Sequence, residues 1–290
     1  MLIDIIRSMR PRQWPKNAFV FVALLFDRKL FDPASVLPVL GAFVLLCLMS
    51  GAVYLMNDLA DIESDRQHPT KRNRPLPSGR LNPRLAGLAA ALLAAFSLVA
   101  GYFLSWQLAV ILLIYLLSQV AYTFWLKHVV LVDVLTIAAG FVLRIAAGVA
   151  VIEVQRFSPW LYIFGGFLAL FMALGKRRHE LVLLGGDAAN HRAILEDYNL
   201  DLIDRLQSIV TTSAVVSYSL YTFLAEGLPQ NHAMMLSIPF VLYGIFRYLY
   251  LIHIRNEGGA PEEILLRDRP FQINLLFYGL VVFVALYWLS

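Results

Sequence analysis

Apolar runs of about 20 residues, separated by short charged segments, recur along almost the whole chain. That length matches a transmembrane α-helix, which needs about 20 residues to cross the hydrocarbon core. The pattern predicts nine helices, at about 17–31, 35–57, 83–104, 107–126, 131–152, 158–176, 206–225, 234–254 and 270–289. The first has the shortest apolar stretch: Ala18–Phe26 cannot cross unaided, and Asp27, Arg28 and Lys29 follow it. A membrane β-barrel would show ten-residue segments of alternating polarity, and none occur. The expected fold is all-α, a polytopic membrane helical bundle, in a single domain over residues 1–290. No linker or low-complexity tract divides it. The loops at 57–84 and 176–205 follow the second and sixth helices, four spans apart, a spacing that hints at a pseudo-repeat.

Composition agrees: 59% of the residues are hydrophobic and 15% charged, against about 45–50% and about 25% in soluble domains. The placement of charge says more than its sum. With the N-terminus inside, 19 of the 24 Lys and Arg residues fall in inner segments. Only Arg28, Lys29 and Arg156 lie outside, and Arg144 and Arg247 lie within spans. This bias puts the N-terminus and the long polar loops on the cytoplasmic side. The lone Cys47 rules out a disulfide framework and a cysteine-built metal site. The first apolar stretch has no small-residue cleavage site, so it is not expected to be a removable signal peptide. The bilayer is the expected partner, nucleic acid is not, and homo-oligomerisation is left open.

The second predicted helix ends in "NDLADIESD". Asn57, Asp61 and Asp65 follow i, i+4, i+8, with Asp58 three residues before Asp61, so their oxygens line one helix face. Four oxygen ligands without nitrogen or sulfur favour a hard cation such as Mg²⁺, which takes one or two carboxylates and shares substrate phosphate. A solvated acidic helix end is the plainer account, and Glu63 on the opposite side would suit it. It leaves the regular spacing beside an asparagine at a membrane edge unexplained. Asn57, Asp58, Asp61 and Asp65 are therefore candidate metal ligands, and the three aspartates candidate catalytic residues.

Arg66, Lys71, Arg72 and Arg74 come next, before Pro75, Pro77 and Ser78-Gly79. Arginine forks suit phosphate oxygens and lysine supplies a point charge. Topology alone accounts for the charge but not for its crowding against acids in a proline-bounded loop. His68 is a loop residue or a hydrogen-bond partner of the site. Lys16, after Trp14, is an interface anchor or a phosphate cation. Arg144 lies within a span, where an unpaired arginine costs at least about 2.5–3.5 kcal/mol. It is expected to face a cavity, with a phosphate or an aspartate as partner. Arg247 is nearer an interface and can snorkel. Tyr122 and Tyr198 either hydrogen-bond substrate or fill aromatic core.

At these residues the chain resembles the UbiA superfamily of intramembrane prenyltransferases, whose first signature, NDxxDxxxD, is met by Asn57, Asp58, Asp61 and Asp65. Within it the closer likeness is to the decaprenyl-phosphate phosphoribosyltransferase branch. That likeness is carried by "RPRQWPKN" (Arg10–Asn17), "DRQHPTKRNRP" (Asp65–Pro75), "GKRRHEL" (Gly175–Leu181) and "LRDR" (Leu266–Arg269), and it spans nearly the whole chain. The resemblance implies Mg²⁺-dependent transfer of 5-phosphoribosyl from 5-phosphoribosyl 1-diphosphate (PRPP) to a polyprenyl (decaprenyl-type) phosphate. Diphosphate would leave, and the product would serve a lipid-linked pentose (arabinose) donor. It further implies a multi-pass protein of the cell inner (plasma) membrane with its active site on the cytoplasmic face.

Aromatic prenyltransferases of the superfamily use a second aspartate-rich motif for a second Mg²⁺. Here Asp197 and Asp201 form a DxxxD that can equally cap a helix, and the same inner loop opens with Lys176, Arg177 and Arg178, followed by Glu180. Three cations in that place imply an anion bound directly. On this likeness the acidic ladder serves metal and diphosphate, while Lys16 and the cations at 71–74 serve the donor phosphates, with Arg66 a further candidate for substrate binding. Lys176, Arg177 and Arg178, with Glu180 orienting them, serve one phosphate, the donor's or the acceptor's, and Tyr198 is a further candidate for substrate binding.

An aromatic prenyltransferase making a quinone or haem precursor would share the fold and the first motif, and would differ at Gly175–Glu180. A transporter should show polar groups at several depths, whereas here they crowd one face. A CDP-alcohol phosphotransferase needs a glycine-alanine-arginine pattern that "NDLADIESD" lacks.

Overall fold

The computed structural model describes residues 2–152, 154, 157–184, 193–255, 257, 264 and 267–289. Arg156, residues 185–192 of the loop at 176–205 and Leu266 of "LRDR" lie outside the described residues. Eleven α-helices are described: α1 (Leu2–Ser8), α2 (Val22–Phe26), α3 (Pro33–Ala60), α4 (Ile62–Gln67), α5 (Pro83–Leu104), α6 (Trp106–Phe124), α7 (Val132–Val149), α8 (Pro159–Leu184), α9 (Leu200–Leu224), α10 (Ile238–His253) and α11 (Arg269–Tyr287). No strand occurs among the described residues. The all-α expectation holds.

Seven of the helical segments are long and apolar enough to cross a membrane: those at α3, α5, α6, α7, α8 and α11, and Ala233–His253, which contains α10. The other two predicted helices differ from these. α9 is long enough at 25 residues, but its first turns carry Asp201, Asp204 and Arg205. The segment predicted at 17–31 is broken. A 3-10 helix, Pro11–Phe21, leads into the five-residue α2, and Arg28 then turns the chain through a left-handed φ of 58°. Pro11 and Pro15 cannot donate backbone hydrogen bonds there, so the arm does not become a continuous α-helix.

Polar residues set the helix starts. Asp32 caps α3 by accepting from the Ala34 N–H at 3.1 Å, and Asn82 caps α5 by accepting from Arg84 at 2.8 Å. Asn199 and Asp268 do the same for α9 and α11, each at 2.8 Å. Proline follows the cap in α3, α5 and α11, where its missing N–H costs nothing.

The chain divides into two compact units, Met1–Leu126 with Leu143–Val154, and Lys127–Val142 with Gln155–Ser290. In the first, α3 packs on α5, α6 and the 3-10 arm. Val39, Leu46, Met49, Leu108 and Leu112 form its core, with a smaller cluster of Met9, Leu55, Leu76, Leu81 and Ala86 beside it. The arm approaches closely at Gly148, where a Cβ would lie 2.0 Å from the Val20 carbonyl oxygen. In the second unit α8 packs on α9, and Phe171, Leu174, Ile203, Ala214, Tyr248 and Ile252 are among its core.

Candidate functional site

The acidic ladder forms at the end of α3. The helix breaks at Asp61 (φ −100°) and resumes as α4, yet its hydrogen bonds run through the break. The Asp61 N–H donates to Asn57 O at 3.0 Å, and the Asp65 N–H to Asp61 O at 2.8 Å. The i, i+4, i+8 register therefore survives, and it turns Asp58 and Asp65 inward, each 2% exposed. Asn57 and Asp61 are half-buried at the same helix end. The Asn57 side-chain oxygen accepts a short hydrogen bond from the Thr123 hydroxyl on α6.

Two buried carboxylates at a membrane edge need counter-charge, and the chain supplies it from two directions. Arg74 Nη1 lies 2.7 Å from Asp65 Oδ2 and 3.3 Å from Asp58 Oδ1, so one guanidinium nitrogen bridges both acids. Lys71 Nζ stands 3.6 Å from Asp65. From the N-terminal arm, Arg10 bonds Asp58 and lies over the Tyr54 ring, 4.7 Å from its centroid.

The loop carrying Arg74 is pinned rather than loose. Leu76 and Leu81 are each 1% exposed, Leu81 N–H donates to Pro75 O at 3.0 Å, and Gly79 takes the left-handed turn at φ 77°. His68 shapes this loop: its Nδ1 accepts from the Thr70 and Lys71 N–H groups at 3.2 and 3.3 Å. Arg66 points elsewhere, to Glu63 at 2.8 Å and the Pro77 carbonyl at 3.4 Å. Arg72 is exposed and makes no ion pair among the described residues. Lys16 is half-buried on the 3-10 arm.

No group of three or more His, Cys, Asp or Glu side chains among the described residues could by itself hold a metal. The donor chemistry still fits Mg²⁺: Asp58 and Asp65 present oxygen to one shared cationic point, and the ion's remaining positions belong to water and phosphate.

Arg144, on α7, is 8% exposed. The sequence leads one to expect a phosphate or an aspartate as partner; two of the arginine's hydrogen bonds go to neutral groups. Nε donates to Asn17 Oδ1 at 2.8 Å and Nη2 to the Tyr115 hydroxyl at 3.0 Å, with the guanidinium 5.1 Å from the Tyr115 ring centroid. Gly148, one turn on, is what admits the arm bearing Asn17 this closely.

In the second unit the basic run of α8 is largely occupied. Arg177 is 1% exposed; its Nε meets Asp133 at 2.9 Å and its Nη1 meets Glu180 at 2.6 Å. Arg178 pairs with Asp204 at 2.8 Å. Lys176 alone of the three is exposed, without an ion pair among the described residues. Tyr198 is 4% exposed: its hydroxyl donates to Asp133 at 2.7 Å and accepts from the Leu131 N–H at 2.8 Å. Burial, reinforced by that carboxylate, holds the phenol well above its ordinary pKa, so it remains a donor. Leu131 itself sits at φ 67°, a conformation held by this bond.

The DxxxD acids play smaller parts. Asp201 pairs with Arg205 at 2.9 Å on the surface, Asp197 ends a 3-10 turn, and the cap of α9 is Asn199. Arg247 does more than snorkel, since it grips Asp268 through two bonds of 3.1 and 2.8 Å.

Sequence reasoning did not single out Asp133, Thr123 or Tyr115, and it named Arg10 and Asn17 only as the ends of the "RPRQWPKN" stretch. Asp133 carried a signal of its own: an acid in the first turn of a predicted span demands a buried cation.

The family model of the UbiA prenyltransferase family matches residues 18–276. Over 99% of its length the chain is 34% identical to a decaprenyl-phosphate phosphoribosyltransferase of Mycolicibacterium smegmatis, covering 94% of that protein. One from Mycobacterium tuberculosis is 34% identical over 95% of the chain and 92% of the relative. Among solved structures, a UbiA homologue from Archaeoglobus fulgidus bound to DMAPP and Mg²⁺ superposes with a TM-score of 0.74. It is 18% identical, with 99% of this chain and 100% of that one covered.

Proposed function

The chain belongs to the UbiA prenyltransferase family, and from that premise we propose that it transfers 5-phosphoribosyl from PRPP to a polyprenyl phosphate. It is a multi-pass membrane transferase. The full-length similarity to decaprenyl-phosphate phosphoribosyltransferases supports the substrate pair. The observation that carries the chemistry is the convergence of Asp58 and Asp65 on one cationic position.

In this reaction an oxygen of the acceptor phosphate attacks the anomeric carbon of the donor. The bond from that carbon to diphosphate breaks, and the diphosphate leaves with the electron pair. The attacking phosphate is already ionised near neutral pH, so no general base is needed. Bound Mg²⁺, held by Asp58 and Asp65 with Asp61 and Asn57 at the same helix end, would stabilise charge on the departing diphosphate. Arg74 stands against both carboxylates and Lys71 against Asp65, and they meet diphosphate oxygens as it binds. Lys16 and Arg72 complete the positive rim toward the donor phosphates, while Arg66 is turned to Glu63 and the Pro77 carbonyl. Of the α8 cations, Lys176 is the one available for direct phosphate contact. Arg177, Arg178, Glu180 and Tyr198 keep the end of that helix in place, and Arg144 ties the arm to α7.

We read residues 1–290 as one catalytic domain, supported by a family match over 18–276. The Lys and Arg bias supports a cytoplasmic N-terminus and a cytoplasmic active site in the plasma membrane.

The test uses protein purified in detergent with labelled PRPP, a polyprenyl phosphate and Mg²⁺. Label appearing in the lipid fraction and abolished by chelator is expected. Consumption of a prenyl diphosphate with an aromatic acceptor, and none of PRPP, would overturn the reading.

A further inference from the structure

Arg7 and Arg12, which this chemistry leaves unused, line a cavity in the N-terminal arm together with Arg10, the partner of Asp58. The cavity's volume is about 370 Å³, and Arg7, Arg10, Pro11, Arg12 and Gln13 line it. Between α1 and the 3-10 helix the chain turns at Arg10, whose φ of 53° and ψ of 64° are left-handed. A residue with a Cβ adopts that conformation only when its surroundings hold it. Here the Arg10 guanidinium is anchored on buried Asp58 and over Tyr54. The turn brings Arg7 and Arg12 to the same concavity. Both are exposed, and neither side chain makes a hydrogen bond or ion pair among the described residues.

Topology explains three positive charges on an inner segment, but it requires neither a concavity nor a strained turn to shape one. The surroundings narrow the ligand further. Ile5 of α1 and Met9 just beyond it pack into the cluster of Leu55 and Leu76, while Leu2, Ile3 and Ile6 stay exposed. Such a face beside membrane helices lies in the lipid interface. The cavity therefore pairs unbalanced guanidinium charge with an adjoining apolar surface.

We propose that the Arg7–Arg10–Arg12 cavity binds a phosphate group carried on an apolar chain. Resting on the function proposed above, that group is the phosphate of the polyprenyl acceptor. Two forked guanidinium groups suit a terminal phosphate bidentately. The third, Arg10, connects the cavity through a single side chain to Asp58, so an acceptor seated there lies beside the acidic ladder. This site also supplies what α8 does not, since two of that helix's three cations are engaged by carboxylates.

A bilayer phospholipid offers the same chemistry, so the experiment separates the two sources. Arg7→Gln and Arg12→Gln are made singly and together, with Arg10 kept because it holds Asp58. In detergent, the double variant should raise the KM for polyprenyl phosphate at least about tenfold, the loss expected from one charge-assisted contact. Its kcat and its KM for PRPP should stay within about twofold, the ordinary scatter of surface substitutions. Native mass spectrometry with a short polyprenyl phosphate or phosphatidate gives a readout that needs no turnover, and the variant should lose the polyprenyl phosphate adduct. An unchanged acceptor KM with the adduct retained overturns the site. Loss of the phosphatidate adduct alone gives the cavity to the bilayer and overturns the acceptor assignment. If the unmodified protein transfers no phosphoribosyl yet binds polyprenyl phosphate through these arginines, the site stands and the reaction is wrong.

Discussion

The two units bury charge in opposite ways. In the first, the acids are buried and the cations reach them from outside: Asp58 and Asp65 are 2–3% exposed as side chains, Arg10 and Arg74 30% and 31%. In the second, the cation itself is sealed, with Arg177 at 2% and its partner Asp133 at 0%. A half-exposed guanidinium can give way to another cation or swing to an incoming anion. A sealed pair cannot, because parting it leaves an uncompensated buried charge. Two sequence clusters that look alike as mixtures of acid and base thus differ in kind. One is exchangeable and the other is architecture.

The sharpest break of this comparison is at the ladder. Asp58→Asn combined with Asp65→Asn should lower lipid labelling by about 10³-fold, the scale of losing preorganised charge stabilisation. The folded state should persist, because the loop remains pinned by Leu76 and Leu81. Collapse of the fold with full residual activity in the survivors would reverse the assignment.

Next comes Arg177→Met, which should lower stability by about 3–5 kcal/mol by stranding Asp133, seen as thermal unfolding in detergent. Lys176→Ala should leave unfolding unchanged and raise a substrate KM instead. If Arg177→Met shifts only a KM, the pair is not sealed. Tyr198→Phe removes one donor to Asp133 and one acceptor from Leu131, and should cost about 1–3 kcal/mol.

The smallest effect lies at the start of α11. Hydrogen bonds from Arg247 hold the Asp268 carboxyl below its ordinary value of 3.8. A carboxylate depressed in the folded state contributes stability above its unfolded pKa and loses it as pH falls through the lower folded value. Acid unfolding below about pH 4 should therefore be shallower in Asp268→Asn, by titration of helicity.

Much of this was legible in the sequence. Apolar run length gave most of the helices, because burial in lipid leaves the backbone no other choice. The register of Asn57, Asp58, Asp61 and Asp65 gave the ladder, because local spacing suffices to place side chains on one face. The failures share a cause. The first predicted helix became a 3-10 arm because prolines and a tertiary contact at Gly148 overrode hydrophobicity. Arg177 looked like a phosphate ligand because its partner, Asp133, lies 44 positions away. Arg144 found Asn17 across 127 positions. Pairings that distant carry no periodicity to read.

The nitrogen of Arg74 that joins Asp58 to Asp65 has a consequence for timing. A divalent ion reaching those oxygens competes with an internal counter-ion, so its affinity for the protein alone is lowered by whatever that displacement costs. On the proposed function, diphosphate would change the balance, because it would offer the displaced guanidinium a new anion; the ladder would then favour a metal that arrives together with diphosphate over the metal alone. Replacing Arg74 with glutamine should make the free protein hold manganese more tightly, and the chemistry worse.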